Sequence, residues 1–395
     1  MPQNFKLPDK KAVIYWPVGT GDSTTLVLRP GELVMQIDLN HLEKADDPDE
    51  PSWPIIDHLV KTLPKRNGRP YLAVFALTHP DQDHCRGFAE LLKKVDIGEL
   101  WHTPKVFRAH SKDEPLCPDA RVFRNEAHRR RKAILARPSS VPSGDRLRVI
   151  GHDAILNEDQ YKGLPDTAKS RAGDKVTLVD GVNLAGHFQA FIHAPFSDDQ
   201  EADKNNTSLA LNVVLWEGKT HGQFAFFGDR EYPTIKRIFE VTEFNKTNTP
   251  YLYWDVMLAS HHCSKKVMYW KDEGQKDATL KQDIMDYFEK YARKGAYIVS
   301  SSKSDFTDEP GDNPPHRKAR KKYEEIVDAG GFVCTHEYPS KKDPAPLVFV
   351  VLEQGVKLED ARTKAAVAAG LATAATAARG AGQPPGLQVG FGRKR

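Results

Sequence analysis

The stretch YLAVFALTHPDQDHCRG (Tyr71 to Gly87) constrains this chain more than any other. Tyr71 to Leu77 is an unbroken apolar run of strand length, which suits a strand buried on both faces. It stops at Thr78-His79, and Asp81, Asp83 and His84 follow at once. A loop at the end of a buried strand is a rigid place from which to present side chains. Alternate residues of an extended turn point the same way, so His79 and Asp81 can converge on one ion, and Asp83 with His84 on a second. Imidazole and carboxylate together suit Zn²⁺, Mn²⁺ or Fe²⁺. The plainer reading makes Asp81 or Asp83 an N-cap for the helix GFAELLKKV, with incidental histidines.

Two further apolar strands end in the same kind of residue. QFAFFGD finishes at Asp229 and DVMLASHH at His261-His262. A charged group at the end of a buried strand is costly unless it is paired or metal-bound. The expected metal set is therefore His79, Asp81, Asp83, His84, Asp229 and one or both of His261 and His262, enough for two ions bridged by Asp229. His261, first after the apolar run, is slightly favoured of the pair.

The rest of the chain alternates strand and helix patterns. AVIYWPVGTGDSTTLVL reads as strand, turn, strand, and GELVMQIDLN adds a third strand from Leu33 to Leu39. Further strands are expected at DKVTLVDG, HFQAFIHAP, LALNVVLWEG, AYIVSSS and VFVVLEQG. Helical spacing recurs at PIIDHLVKTLPKR, YPTIKRIFEV, LKQDIMDYFEKYARKG and HRKARKKYEEIVDAG. Two halves of strands, each with helices to cover one face, predict an α/β sandwich of sheets with helices outside.

Composition narrows the function classes. With 57 Lys and Arg against 54 Asp and Glu, the net charge is only +3, so a nucleic-acid surface must be local. No apolar run is long enough for a transmembrane helix, and MPQNFKLPDKK lacks the apolar core of a signal peptide. Four cysteines (Cys85, Cys117, Cys263, Cys334) in 395 residues are no disulfide framework, so a reducing cytoplasm is expected. From Asp360 the composition turns to Ala, Gly and Thr. Residues 356–395 read as a largely disordered basic tail that could dock a protein partner.

Residues 103–175 differ from their surroundings. From Arg121 to Ile150 nine Lys/Arg face two acids. A helix is expected at Phe123 to Ala136, within an excursion inserted into the 1–355 domain and outside its core sheet. Arg129, Arg130, Arg131 and Lys132 could track phosphates along that helix, as could the HRKARKK run from His316, although charge runs are usually solvated helix faces. The excursion could act as a lid, a substrate platform or a dimer contact.

These motifs, in this order, resemble the metallo-β-lactamase superfamily, and in particular the hydrolase domain of ComEC-type DNA-uptake proteins and their stand-alone relatives. VGTGDS (Val18 to Ser23) looks like that branch's VGQGDS, and MQIDLN like its IDxG strand end, with Asp38 in the acidic place. LTHPDQDHCRG looks like HxHxDHxGG, NNTSLAL (Asn205 to Leu211) like NxxSLVL, FFGD like TGD, LASHHCS like KVxHHGS, and GDNPPH (Gly311 to His316) like NxxHP. The resemblance implies an αββα sandwich of two mixed sheets, with a dinuclear Zn or Mn centre. It also implies that Asn205 and Ser208 serve the site where the wider superfamily has a third histidine, for which His193 is the other candidate. Departures are Asp81 for the second His, Asn40 and Arg86 for glycines, and Cys263 for the Gly of HHGS. Carboxylate for imidazole favours a harder ion such as Mn²⁺. Cys85 and Cys263 each follow a ligand-type histidine directly. Each could be a soft ligand, a redox-sensitive site or a small buried filler.

The expected reaction is hydrolysis by a metal-bridging hydroxide, because two cations lower the pKa of a shared water towards ~7. Asp83 would hold metal and orient the nucleophile. His316 is a candidate leaving-group acid or phosphate clamp, or else only the residue before a helix. The resemblance points to a phosphodiesterase or nuclease. Hydrolysis of a small ester, thioester or lactone on the same centre is one alternative. A partner-activated or non-catalytic effector in a multi-protein system is another.

Overall fold

The computed structural model describes residues 5–42, 51–104, 115–197, 205–309, 311 and 313–359. Two large mixed sheets dominate. The first has ten strands. Its main path runs Gly355–Leu358, Leu347–Leu352, Ala12–Tyr15, Thr24–Arg29, Leu33–Ile37, Arg69–Leu77, Asp96–His102, Arg146–Ile150 and Lys169–Ser170, and Lys65–Arg66 pairs with Arg69–Leu77. The second has seven, in the order Lys175–Val176, Phe188–Ala194, Ala210–Glu217, Thr220–Phe226, Trp254–Leu258, Ala292–Ser300 and Phe332–Cys334. In each sheet hairpin-linked antiparallel strands give way to parallel ones connected through helices.

Side-chain alternation explains the layering. Val13 and Tyr15, Leu26 and Leu28, and Leu33, Met35 and Ile37 point from the first sheet into one shared core. Leu209, Leu211, Val213 and Leu215, with Phe224 and Phe226, meet them from the second. The intervening Ala210, Ala225 and Phe227 face the other way, onto Ile235, Phe239, Ile284 and Phe288 of the helices Tyr232–Phe244 and Gln282–Tyr291. On the far side of the first sheet Phe75 packs at a tilt against Phe88 of helix Phe88–Lys94 (ring centroids 4.9 Å apart), and Phe88 meets Phe123 of helix Pro118–Ala136 edge to face (4.9 Å). Helices outside and two sheets within are consistent with an αββα sandwich.

The described part of 103–175 does not lie wholly outside the core sheet, which corrects the expected excursion. Arg146–Ile150 and Lys169–Ser170 extend that sheet in parallel register. Their apolar pattern is poor because their charges are neutralised internally. Arg148 lies 3.4 Å from buried Glu99, and Arg146 lies 2.7 Å from buried Asp180, which also accepts from Ser143 and Tyr71. At the other edge, Gly355–Leu358 pairs with Leu347–Leu352 and carries the sheet past the expected boundary at 355. The tail reading from Asp360 onward lies outside the described residues. Among the described residues no helix is long and apolar enough to cross a membrane.

Candidate metal centre

The cluster forms where strand ends of both sheets meet. Strand Leu33–Ile37 breaks at Asp38, whose φ of 54° turns the chain sharply. Its carboxylate accepts the Thr78 N–H (2.8 Å) and hydroxyl (2.6 Å) at the end of the neighbouring strand. The same carboxylate lies 2.7 Å from Nδ1 of His84. A buried carboxylate on one imidazole nitrogen fixes the ring and leaves the other nitrogen facing the site. Asp81 occupies the cap position of the short helix Gln82–Cys85 but makes no side-chain cap bond, so capping does not account for it.

A second strand pair supplies Asp22. Gly19 and Gly21 make the tight turn before it, and a Cβ on Gly21 would lie 2.3 Å from Nδ2 of Asn40 and 2.8 Å from the Asp83 carbonyl. The Asp22 N–H donates to that same carbonyl (3.1 Å), and Asn40 donates to the Val18 carbonyl (2.9 Å). The Asn40 side chain thus holds this turn.

The second sheet contributes Asp229 and His262. Gly228 turns the chain (φ 56°) after Thr220–Phe226, closely packed on Ser208, and Arg230 donates to the Ser208 carbonyl (2.9 Å). After Trp254–Leu258 three successive residues, His261, His262 and Cys263, adopt left-handed φ of 51°, 50° and 67°. Non-glycine residues rarely do so, and such strain clusters at functional sites. Ser260 holds this turn against the Asp229 turn by donating to the carbonyls of Gly228 and Arg230, 2.7 Å each.

Asp22, His84, Asp229 and His262 are all buried, each offering one ligand atom within 4.8 Å of the others; this group could hold a metal ion. His84 Nε2 is 3.2 Å from Asp229 Oδ1, and His262 is 3.5 Å from Asp229 and 3.3 Å from Asp22. Asp83, more open to solvent, lies 3.1 Å from His262 Nε2. His79 and His261 also approach Asp229, 3.8 and 3.7 Å from the same Oδ2 that His262 faces, and Asp81 is 3.6 Å from His79. The Nε2 atoms of His79 and His84 and Oδ1 of Asp229 are buried without a hydrogen-bond partner. Buried orphan donors and acceptors are costly, and a cation would satisfy them.

Charges are strongly coupled here. Burial opposes a charged His84 or His262, yet Asp229 and its neighbouring carboxylates outweigh it, so both imidazoles titrate well above their usual range. Burial likewise opposes an ionised Asp229, but His262, His84 and His261 hold it well below the usual carboxylate range. His79 goes the other way, pushed down by burial and by the charge of His84. A cation would displace the protons of His84 and His262.

Of the sequence-predicted residues, His79, Asp81, Asp83, His84, Asp229, His261 and His262 all meet around Asp229. His262 rather than His261 belongs to the buried group of four. The left-handed turn reverses the chain so that His262 is the buried member, while His261 sits at the margin, 3.6 Å from Glu231. Asp22 is absent from the set expected from sequence, although the structure puts it in the group that could hold an ion; the two glycines before it in VGTGDS were the available signal. Ser208 lies beneath the Asp229 turn, and Asn205 opens the short helix Asn205–Thr207 before it. His193 lies elsewhere, between Thr242 (3.2 Å) and the Tyr251 carbonyl (3.1 Å). His316 precedes helix Arg317–Glu324, and its Nδ1 accepts the Lys265 N–H (3.2 Å) just after the ligand turn.

The expected phosphate-tracking arginines are largely engaged in structure. Arg130 is buried, bonding Glu126 and the carbonyls of Ile97, Gly98 and Arg146. Arg129 pairs with Glu126 and Asp145, and Arg131 donates to the Gln160 carbonyl. Lys132 lies on the same helix and is exposed. No family model and no curated protein matches this sequence.

Proposed function

We propose that this chain is a metal-dependent hydrolase of metallo-β-lactamase type, with two divalent cations, Zn or Mn, and a phosphodiester substrate. The observation that carries the proposal is the convergence on Asp229 of histidines and carboxylates from both sheets, with orphaned nitrogens buried among them. His79, Asp81 and His261 would hold one cation, and Asp22, Asp83, His84 and His262 the other, with Asp229 between. When bound, such cations supply Lewis acidity and ready ionisation of water. Asp38 keeps its proton-bearing partner nitrogen of His84 fixed, so that Nε2 faces the ligand group. Asp83, at the solvent edge, is placed to orient the attacking water.

Support for a phosphodiester comes from cations near the His261–Cys263 turn. Lys265 and Lys266 follow it after Ser264, Lys266 paired with Glu231 (3.0 Å), and the exposed Lys318 lies on the helix after His316, whose N–H donates to the Cys263 carbonyl (3.1 Å). Because Nδ1 of His316 accepts a backbone N–H, its ring proton belongs on Nε2. That is the tautomer able to donate to a phosphate oxygen or a leaving group.

Cleavage of labelled single- and double-stranded DNA tests the proposal, with metal-stripped protein resupplied with Mn²⁺ or Zn²⁺ and Asp83→Ala run in parallel. Metal-dependent cleavage lost in the variant is the expected result. Hydrolysis of p-nitrophenyl esters but not of bis-p-nitrophenyl phosphate would instead make the substrate a carboxylic ester. Stoichiometric metal with no hydrolysis of either would overturn the catalytic reading.

A further inference from the structure

The sulfurs of Cys85 and Cys117 lie 3.5 Å apart, although 32 residues separate them in sequence. Cys85 is wholly buried and ends the short helix Gln82–Cys85, its sulfur 3.1 Å from the Asp81 carbonyl oxygen. Cys117 is half-buried and caps helix Pro118–Ala136, its sulfur accepting the Ala120 N–H (3.4 Å). The same helix start is tied to the region after Cys85 a second time. Asp119 accepts the N–H groups of Gly87 (3.0 Å) and Ala89 (2.9 Å). The two sulfurs are therefore held in contact by a scaffold on either side of them. Hydrogen bonding from Cys85 and from the helix terminus also lowers the Cys117 thiol to about 7, where thiolate is abundant at neutral pH. The other three thiols go the other way: Cys85 is pushed well up by its contact with Cys117 and by burial, and burial pushes up Cys263 and Cys334, Cys334 to about 11.

We propose that Cys85 and Cys117 are a redox-modification site, a dithiol that a hydroperoxide converts reversibly to a disulfide. The Cys117 thiolate attacks the terminal peroxide oxygen; the O–O bond breaks, giving a sulfenic acid on Cys117 and releasing the other oxygen as alkoxide, or as hydroxide when the oxidant is hydrogen peroxide. The Cys85 thiol then attacks the Cys117 sulfur. The S–S bond forms, the S–OH bond breaks, and the Cys85 proton leaves with that hydroxyl as water. The two thiols lose two electrons and the peroxide gains them. The product would crosslink the turn bearing Asp83 and His84 to helix Pro118–Ala136. The proposal stands on the two sulfurs and does not depend on which substrate, if any, the metal centre serves.

The test treats full-length, metal-stripped protein with hydrogen peroxide, alkylates it under denaturing conditions and maps peptides by mass spectrometry. The expected result is one intramolecular Cys85–Cys117 link, with Cys263 and Cys334 still alkylated, and full reversal by dithiothreitol. Cys117→Ser keeps a good helix cap and should fold. It is expected to form no intramolecular disulfide, whereas Cys263→Ser forms the link like the wild type. Four alkylated cysteines after peroxide, a link involving Cys263 or Cys334, or a disulfide persisting in Cys117→Ser would each overturn the proposal.

Discussion

Oδ2 of Asp38 lies 2.7 Å from Nδ1 of His84, and both side chains are wholly excluded from solvent. Asp38→Asn keeps the shape and removes the charge that orients the ring. Losing such a support to a ligand histidine typically weakens metal binding about 10- to 100-fold. Zinc titration of stripped wild type and variant by calorimetry measures this. Equal affinities would show that the ring needs no anionic support.

Gly21 has no room for a side chain, since an added Cβ would meet both Asn40 and the Asp83 backbone. Gly21→Ala should destabilise the fold by about 1–3 kcal/mol, in the range of other overpacking changes. Urea denaturation is the readout. Asn40→Ala alone relieves only one of the two collisions, so the double variant should recover only part of the loss.

Arg130 is a structural residue. Arg130→Ala takes the guanidinium donors away from the carbonyls of Ile97, Gly98 and Arg146 and leaves Glu126 with Arg129 alone; lost hydrogen bonds to a buried charged group cost about 1.5–3 kcal/mol. Arg129→Ala, at an exposed position, should cost less than about 1 kcal/mol. Denaturation midpoints separate the two. Similar small losses would return Arg130 to the surface as a substrate contact.

Burial holds His193 at a pKa of about 4, against the ordinary 6.5 of the unfolded chain. As pH falls, the unfolded state takes up the proton first. The stability due to a neutral His193 is therefore complete above about pH 6.5 and is lost as pH falls towards 4. One such imidazole is worth on the order of 3 kcal/mol across that window. Melting temperatures measured from pH 7 to pH 4 should fall less steeply in His193→Gln than in the wild type. Parallel curves would assign the acid sensitivity to other groups.

Much of the site was legible because burial and polarity conflict so sharply at three strand ends. An apolar run ending in His79, Asp229 or His261-His262 has few structural explanations. Asp22 was harder to see, because it reaches the cluster only through the order of strands in the first sheet. The choice between His261 and His262 depends on three left-handed residues, which neither apolar period nor residue type reveals. The strand at Arg146–Ile150 was hidden for another reason. Its arginines read as a solvated surface until Glu99 and Asp180 are found facing them.

Asp22 and His84 belong to loops of the first sheet, Asp229 and His262 to loops of the second. The spacing of the four side chains is thus a gauge of how the two halves of the sandwich are aligned. A substitution deep in their shared interior, such as Val213→Ala, touches none of them. By letting one half slip against the other, it would nevertheless register as a change in cation affinity.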